Sequence, residues 1–168
     1  MRPHQIIGAM SAEDFEKIMG AIEAESPEAL QSTTIAAAQV LKFRPKFLLK
    51  QPPAKRLSSI KGALSRVTAA SLAEEFLAVY FLKCRLPLLT EWLDLMGLEH
   101  EEGILTQEEI ATPEEADLKK KVETFRSGDD PSERELMLKV FNAQTAIEWP
   151  ALDALPVSYT HLTLPTKA

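Results

Sequence analysis

A chain of 168 residues with 45% hydrophobic side chains, 26% charged side chains and a formal net charge of -6 has the composition of one globular domain, able to bury roughly two thirds of its unfolded surface without metal or disulfide staples. That composition excludes a disordered chain; the longest apolar run, residues 76–82, is far short of the ~20 residues that cross a bilayer; and a single cysteine, Cys84, excludes an internal disulfide and a multi-thiolate metal site. The opening MRPHQIIGAMSAEDF lacks the apolar core of a secretory signal, so a cytoplasmic location is expected, and the apolar neighbours of Cys84 mark it as a small core residue.

The helices are marked by start and stop signals. Ser11, with Asp14 three residues later, has the spacing of a capping box, and Phe15, Ile18, Met19 and Ile22 then build one apolar face. Ser26, Pro27 and Glu28 supply an N-cap, a first-turn proline and an acid against the dipole, opening a second helix that runs to about Phe43 before Pro45 stops it. Residues 44–53, RPKFLLKQPP, read as a stiff connector with at most one turn of helix, because Pro45, Pro52 and Pro53 remove donors and fix dihedrals.

From about Ala54 to Arg85 only Gly62 interrupts, and Leu57, Ile60, Leu64 and Val67 share a face, so a long helix is expected there. Its FLAVYFL stretch is apolar on all sides, the pattern of a helix buried from every direction. If the helix is continuous, the separation from Leu57 to Glu75 is about five turns and Glu75 faces the core. If it breaks at Ser71, whose spacing to Glu74 makes a second capping box, both Glu74 and Glu75 lie in an exposed first turn.

Pro87 opens the next helix, with Leu88, Leu89, Trp92, Leu93 and Met96 inside and Gly97 at its left-handed end. After an acidic surface connection, Thr112, Pro113 and Glu115 restart a helix carrying Leu118, Val122 and Phe125 and ending at Gly128. Ser132 and Glu135 cap a last one with Leu136, Val140, Phe141 and Ile147, before Trp149 and Pro150. No strand pair and no internal repeat is visible. The expected class is all-α: a single-domain helical bundle, or irregular array of six to seven helices, over residues 1–156.

Residues 157–168, VSYTHLTLPTKA, switch to strand-like alternation. They resemble translated read-through of sequencing-library adaptor at the ends of reading frames assembled from environmental DNA. The tail is therefore expected to be non-native, and Tyr159 and His161 are given no functional weight. The body, including LEHEEG after a helix-ending glycine, is loosely similar to bacterial helical proteins without an assigned role.

Most site chemistries fail by motif. The histidines outside the tail, His4 and His100, do not stand a helical turn apart with a glutamate between them, as zinc hydrolysis requires. Neither has a glutamate three residues before it, as a diiron bundle requires. The glycines at 8, 20, 62, 97, 103 and 128 form no P-loop, dinucleotide turn or nucleophile elbow. His100 with Glu99, Glu101 and Glu102 has divalent-ion chemistry, but reads equally as a solvated acidic turn. Residues 105–111, LTQEEIA, resemble the opening of the second helix in helix-turn-helix regulators, yet Thr112, Pro113 and further acids stand where the recognition helix should follow. Glu74 and Glu75 lack a histidine, serine-base pair or spaced carboxylate to complete a site, which favours capping or ion pairing. No catalytic residue, metal site or cofactor follows, and the chain reads as non-enzymatic.

Charge is sorted along the chain. Residues 29–73 contain no acid but carry Lys42, Arg44, Lys46, Lys50, Lys55, Arg56, Lys61 and Arg66, whereas residues 99–117 carry eight acids and no lysine or arginine. One-sign blocks make a field that scattered charges do not. Arg44, Lys46, Lys50, Lys55 and Arg56 are thus the candidate ligand-binding residues, for an anion or an acidic partner, with Phe43 and Phe47 available to stack on bases. Against nucleic acid stand a pI near 5.2 and phenylalanines set among leucines like core residues. The block would otherwise face the acidic run, in the same molecule or in a partner copy. The expectation is a protein-protein interaction module whose partner is another protein or a second copy, not a membrane; the alternative is anion or nucleic-acid binding through residues 42–66.

Overall fold

The computed structural model describes residues 1–144 and 147–155; the strand-like tail lies outside them. The helices are α1 (Pro3–Ala9), α2 (Ala12–Glu25), α3 (Pro27–Leu41), α4 (Pro45–Lys50), α5 (Pro53–Leu64), α6 (Ala70–Cys84), α7 (Leu86–Leu95), α8 (Glu115–Arg126), α9 (Pro131–Ala143) and α10 (Pro150–Ala154). The class is all-α, as expected. The helix number exceeds six to seven because three short helices, α1, α4 and α10, join the array and the long central segment is split.

α6 is the axis, packed against α1, α2, α3, α5, α7 and α9. Its FLAVYFL stretch has no exposed residue, as its all-round apolarity requires. α2 is capped at Ser11, whose Oγ accepts the Asp14 N–H at 3.0 Å, and buries Phe15, Ile18, Met19 and Ile22. The Phe15 ring meets Phe76 of α6 at 5.5 Å. At the other end an aromatic chain joins α7, α8 and α9: Trp92 lies 5.1 Å from Phe125 and 5.7 Å from Phe141, and Phe141 lies 5.2 Å from Trp149. Each such pair adds about 0.5–1.5 kcal/mol beyond its buried area. Asn142 fixes the segment before α10, since its Nδ2 donates to Trp149 O at 3.0 Å and its Oδ1 accepts the Trp149 N–H at 2.7 Å.

Several expectations are corrected. The central helix does break, which leaves Glu75 exposed, but the break falls at residues 65–69. α6 starts after Ala69 without a side-chain cap, so Ser71 builds no capping box. Ser65 instead turns its Oγ back onto Lys61 O at 2.6 Å, a single 3-10 turn spans Val67–Ala69, and Val67 is exposed rather than on the core stripe. Glu114 and Asp130 precede α8 and α9 without a side-chain cap, so Thr112 and Ser132 cap nothing. Residues 106–114 are irregular, which removes the helix-turn-helix likeness. A minimal strand pair also exists: β1 (His100–Glu101) and β2 (Ile104–Leu105) are antiparallel, with Glu101 opposite Ile104. Its two-residue turn, Glu102 and Gly103, has positive φ at both positions, the requirement of a tight hairpin. Strands of two residues are too short to show alternation. No helix of the described residues is long and apolar enough to cross a membrane.

Candidate functional site

The basic connector folds into α4 and the first turn of α5. Arg44 is the extended residue before α4, and its carbonyl accepts the N–H of Phe47 at 2.9 Å. At 100° per residue, three consecutive apolar side chains cannot all face inward. Leu48 is fully buried and anchors the helix, whereas Phe47 and Leu49 are 54% and 51% exposed and Phe43 is 37% exposed. The expectation that the phenylalanines are core residues is therefore corrected. The Phe43 and Phe47 rings meet edge to face, with centroids 5.1 Å apart.

Around this apolar ridge, Arg44, Lys46, Lys50 and Lys55 are exposed and Arg56 is half-buried. Among the described residues, none of these five comes within ion-pair distance of a carboxylate. Arg56 departs from the free patch, because its Nη1 donates to Leu49 O at 3.0 Å and ties α5 to the end of α4. Arg66 reaches Val40 O at 3.4 Å and Lys61 reaches Gly8 O at 3.4 Å. Basic side chains here stitch backbone segments together or point to solvent.

The acidic run lies on a different part of the fold. Gly103 is backed against α6 and α7, where an added Cβ would sit 2.8–3.0 Å from carbons of Leu89, Leu86 and Leu82. His100 Nδ1 accepts the Gly103 N–H at 3.2 Å and its Nε2 lies 2.7 Å from Asp94 Oδ1, so the ring pins the turn with both nitrogens. All eight carboxylates of residues 99–117 are exposed, and among the described residues only Asp117 meets a cation, Lys121 Nζ at 3.1 Å. The expected facing of basic block and acidic run within one molecule does not occur as ion pairs.

Two cavities lie elsewhere among the described residues. A cleft of about 1240 Å³ is lined by five cationic and five carboxylate side chains. Arg85 lies 3.5 Å from Asp130 and 3.6 Å from Glu133, and Arg126 lies 2.6 Å from Glu135. The Tyr80 hydroxyl donates to Glu133. Burial pushes the Tyr80 phenol above its usual range, and the bond to Glu133 adds to this. A second cavity of about 370 Å³ under the hairpin has a mainly apolar lining that includes Leu77, Leu82, Leu89 and Met137, with Glu74 beside them. Cys84 is half-buried; burial raises its thiol pKa and the Glu25 carboxylate raises it further.

The cations of the α4 face stand in the sequence as a charge block. Phe43 and Phe47 stand there too, as stacking candidates, whereas the exposure of Leu49 has as its sequence signal only three adjacent apolar residues in one hexapeptide. Compared with known proteins, the chain matches no family model, no curated protein and no solved structure.

Proposed function

We propose that the chain is a non-enzymatic cytoplasmic protein-interaction module that docks an acidic, apolar-bearing protein segment on the α4 face. One observation carries the reading: Phe47 and Leu49 stand half-exposed among cations that no carboxylate of the described residues neutralises. Fully burying a phenylalanine or leucine contributes about 1.5–3 kcal/mol, against ~0–1 kcal/mol for an exposed ion pair. The two apolar side chains would set affinity; Arg44, Lys46, Lys50 and Lys55 would set orientation and encounter rate.

Nucleic acid is the second reading, favoured by the exposure of Phe43 and Phe47. Against it, the mutual edge-to-face contact of the two rings takes up one ring face on which a base could stack.

Fluorescence anisotropy with three labelled probes tests the reading: a peptide alternating glutamate with leucine, a polyglutamate peptide of equal charge, and a single-stranded oligonucleotide of similar length. The glutamate-leucine peptide is expected to bind most tightly and to lose affinity with salt, and Phe47→Ser with Leu49→Ser to abolish its binding. Equal binding of all three would transfer the assignment to general anion binding, and no binding of any would overturn both readings.

A further inference from the structure

We infer that the acidic segment received by the α4 face is residues 99–117 of a second copy of this chain; the inference rests on the docking reading above. The two surfaces are complementary in charge and in apolar content. Ile104 is 61% exposed, pairs with Glu101 across the hairpin and lies two residues beyond Glu102. One apolar side chain flanked by carboxylates thus answers Phe47 and Leu49 flanked by Lys46 and Lys50.

Neither surface is free to satisfy itself within its own molecule. The hairpin is fixed by the His100 bonds to Gly103 and Asp94 and by the bond from Glu99 N–H to Gln107 Oε1 at 2.9 Å. It cannot swing away, because Gly103 sits against the leucines of α6 and α7. α4 is equally fixed, held on α3 and α5 by the buried Leu48 and by the Arg56 bond to Leu49 O. Lys46 and Lys50 on one side and the hairpin carboxylates Glu101 and Glu102 on the other make no ion pair among the described residues, and such surfaces of opposite sign are met by exchange between copies, in a closed pair or in a ring.

Charge exchange tests this on the full chain. Variant one carries Lys46→Glu and Lys50→Glu; variant two carries Glu101→Lys and Glu102→Lys. All four positions are exposed, so both variants are expected to fold. Sedimentation equilibrium is run at about 0.1 mM chain in about 0.01 M and about 1 M salt, where the Debye length falls from ~30 Å to ~3 Å.

The unsubstituted chain is expected to associate at low salt and dissociate at high salt. Each variant alone is expected to associate about tenfold more weakly or worse, because like charges then face each other. An equimolar mixture is expected to recover association, and Ile104→Ser to weaken it. A monomeric unsubstituted chain at low salt, or a mixture that stays monomeric, overturns the inference. If the glutamate-leucine peptide still binds the monomer, the docking reading survives alone; if it does not, both fall.

Discussion

The guanidinium of Arg134 occupies the space that a side chain on Gly128 would need, since a Cβ built on Gly128 overlaps Arg134 Cζ, Nη2 and Nε. The arginine cannot step aside freely. Its Nε donates to Asp129 O at 2.6 Å, its Nη1 donates to Phe125 O at 3.0 Å and to the Glu91 carboxylate, and it lies 4.8 Å over the Phe125 ring. Gly128→Ala is expected to cost about 1–3 kcal/mol in chemical denaturation, and Arg134→Met about 1–3 kcal/mol, chiefly because the buried Phe125 O loses its side-chain donor. The double variant should fall short of the sum by at least about 0.5 kcal/mol; strict additivity would show that the two do not share that space.

Tyr80 gives the fold a pH dependence of defined sign. Burial first, then the hydrogen bond to Glu133 and its charge, raise the phenol above its ordinary value. The stability this contributes is whole below the unfolded value of about 10 and is lost as pH rises through the folded value. Tyr80→Phe is expected to lower stability by about 1 kcal/mol near neutrality, with the gap closing above about pH 10. Urea titrations at neutral and alkaline pH measure the gap; a constant difference would refute the coupling.

Neighbouring residues of one hexapeptide should behave oppositely. Leu48→Ala removes a fully buried side chain and is expected to cost about 2–5 kcal/mol. Phe47→Ser and Leu49→Ser act on half-exposed positions and are expected to stay within about 1 kcal/mol of the parent, while the peptide binding described above is lost. A large loss of melting temperature in the serine variants would place those side chains in the core.

Lys42 ends α3 in the left-handed region, at φ 58 and ψ 33. The Phe43 N–H bonds Ala38 O at 2.8 Å and the Lys42 N–H bonds Gln39 O at 3.1 Å, the arrangement glycine usually serves. The strain of a side chain there is about 1–2 kcal/mol, partly offset by the greater unfolded freedom of glycine. Lys42→Gly is expected to raise stability by about 0.5–1 kcal/mol. Gly97→Ala, at φ 69, should lower it by about 1 kcal/mol. Thermal denaturation reads both, and a destabilised Lys42→Gly would mean that the lysine side chain makes a contact worth more than its strain.

The elements readable in advance are those whose signals are local and redundant. α2 has a cap at Ser11 and four apolar residues in register; α7 has Pro87 at one end and Gly97 at the other. The break at residues 65–69 has no glycine or proline to mark it, and the Ser65 hydroxyl bond to Lys61 O is no signal for it, since Thr33 and Thr34 make the same bond inside the unbroken α3. The capping spacings at Ser71, Thr112 and Ser132 misled because the same residue pattern occurs in helix interiors and loops. Arg134 looks like one more charge on an amphipathic helix; the loop before α9, the Phe125 ring of α8 and Glu91 of α7 together cover it. For the α4 face, sign of charge was legible along the chain, whereas the exposure of Leu49 depends on which single residue of the hexapeptide docks inward.

α4 begins on Pro45 and is followed by Pro52 and Pro53, so its ends have little torsional freedom left to lose. A partner that meets it finds a shape already formed, and the ordering cost of the encounter falls on the incoming segment alone. Capture should then be governed by collision and electrostatic steering, with rearrangement of α4 contributing no slow phase to the association trace.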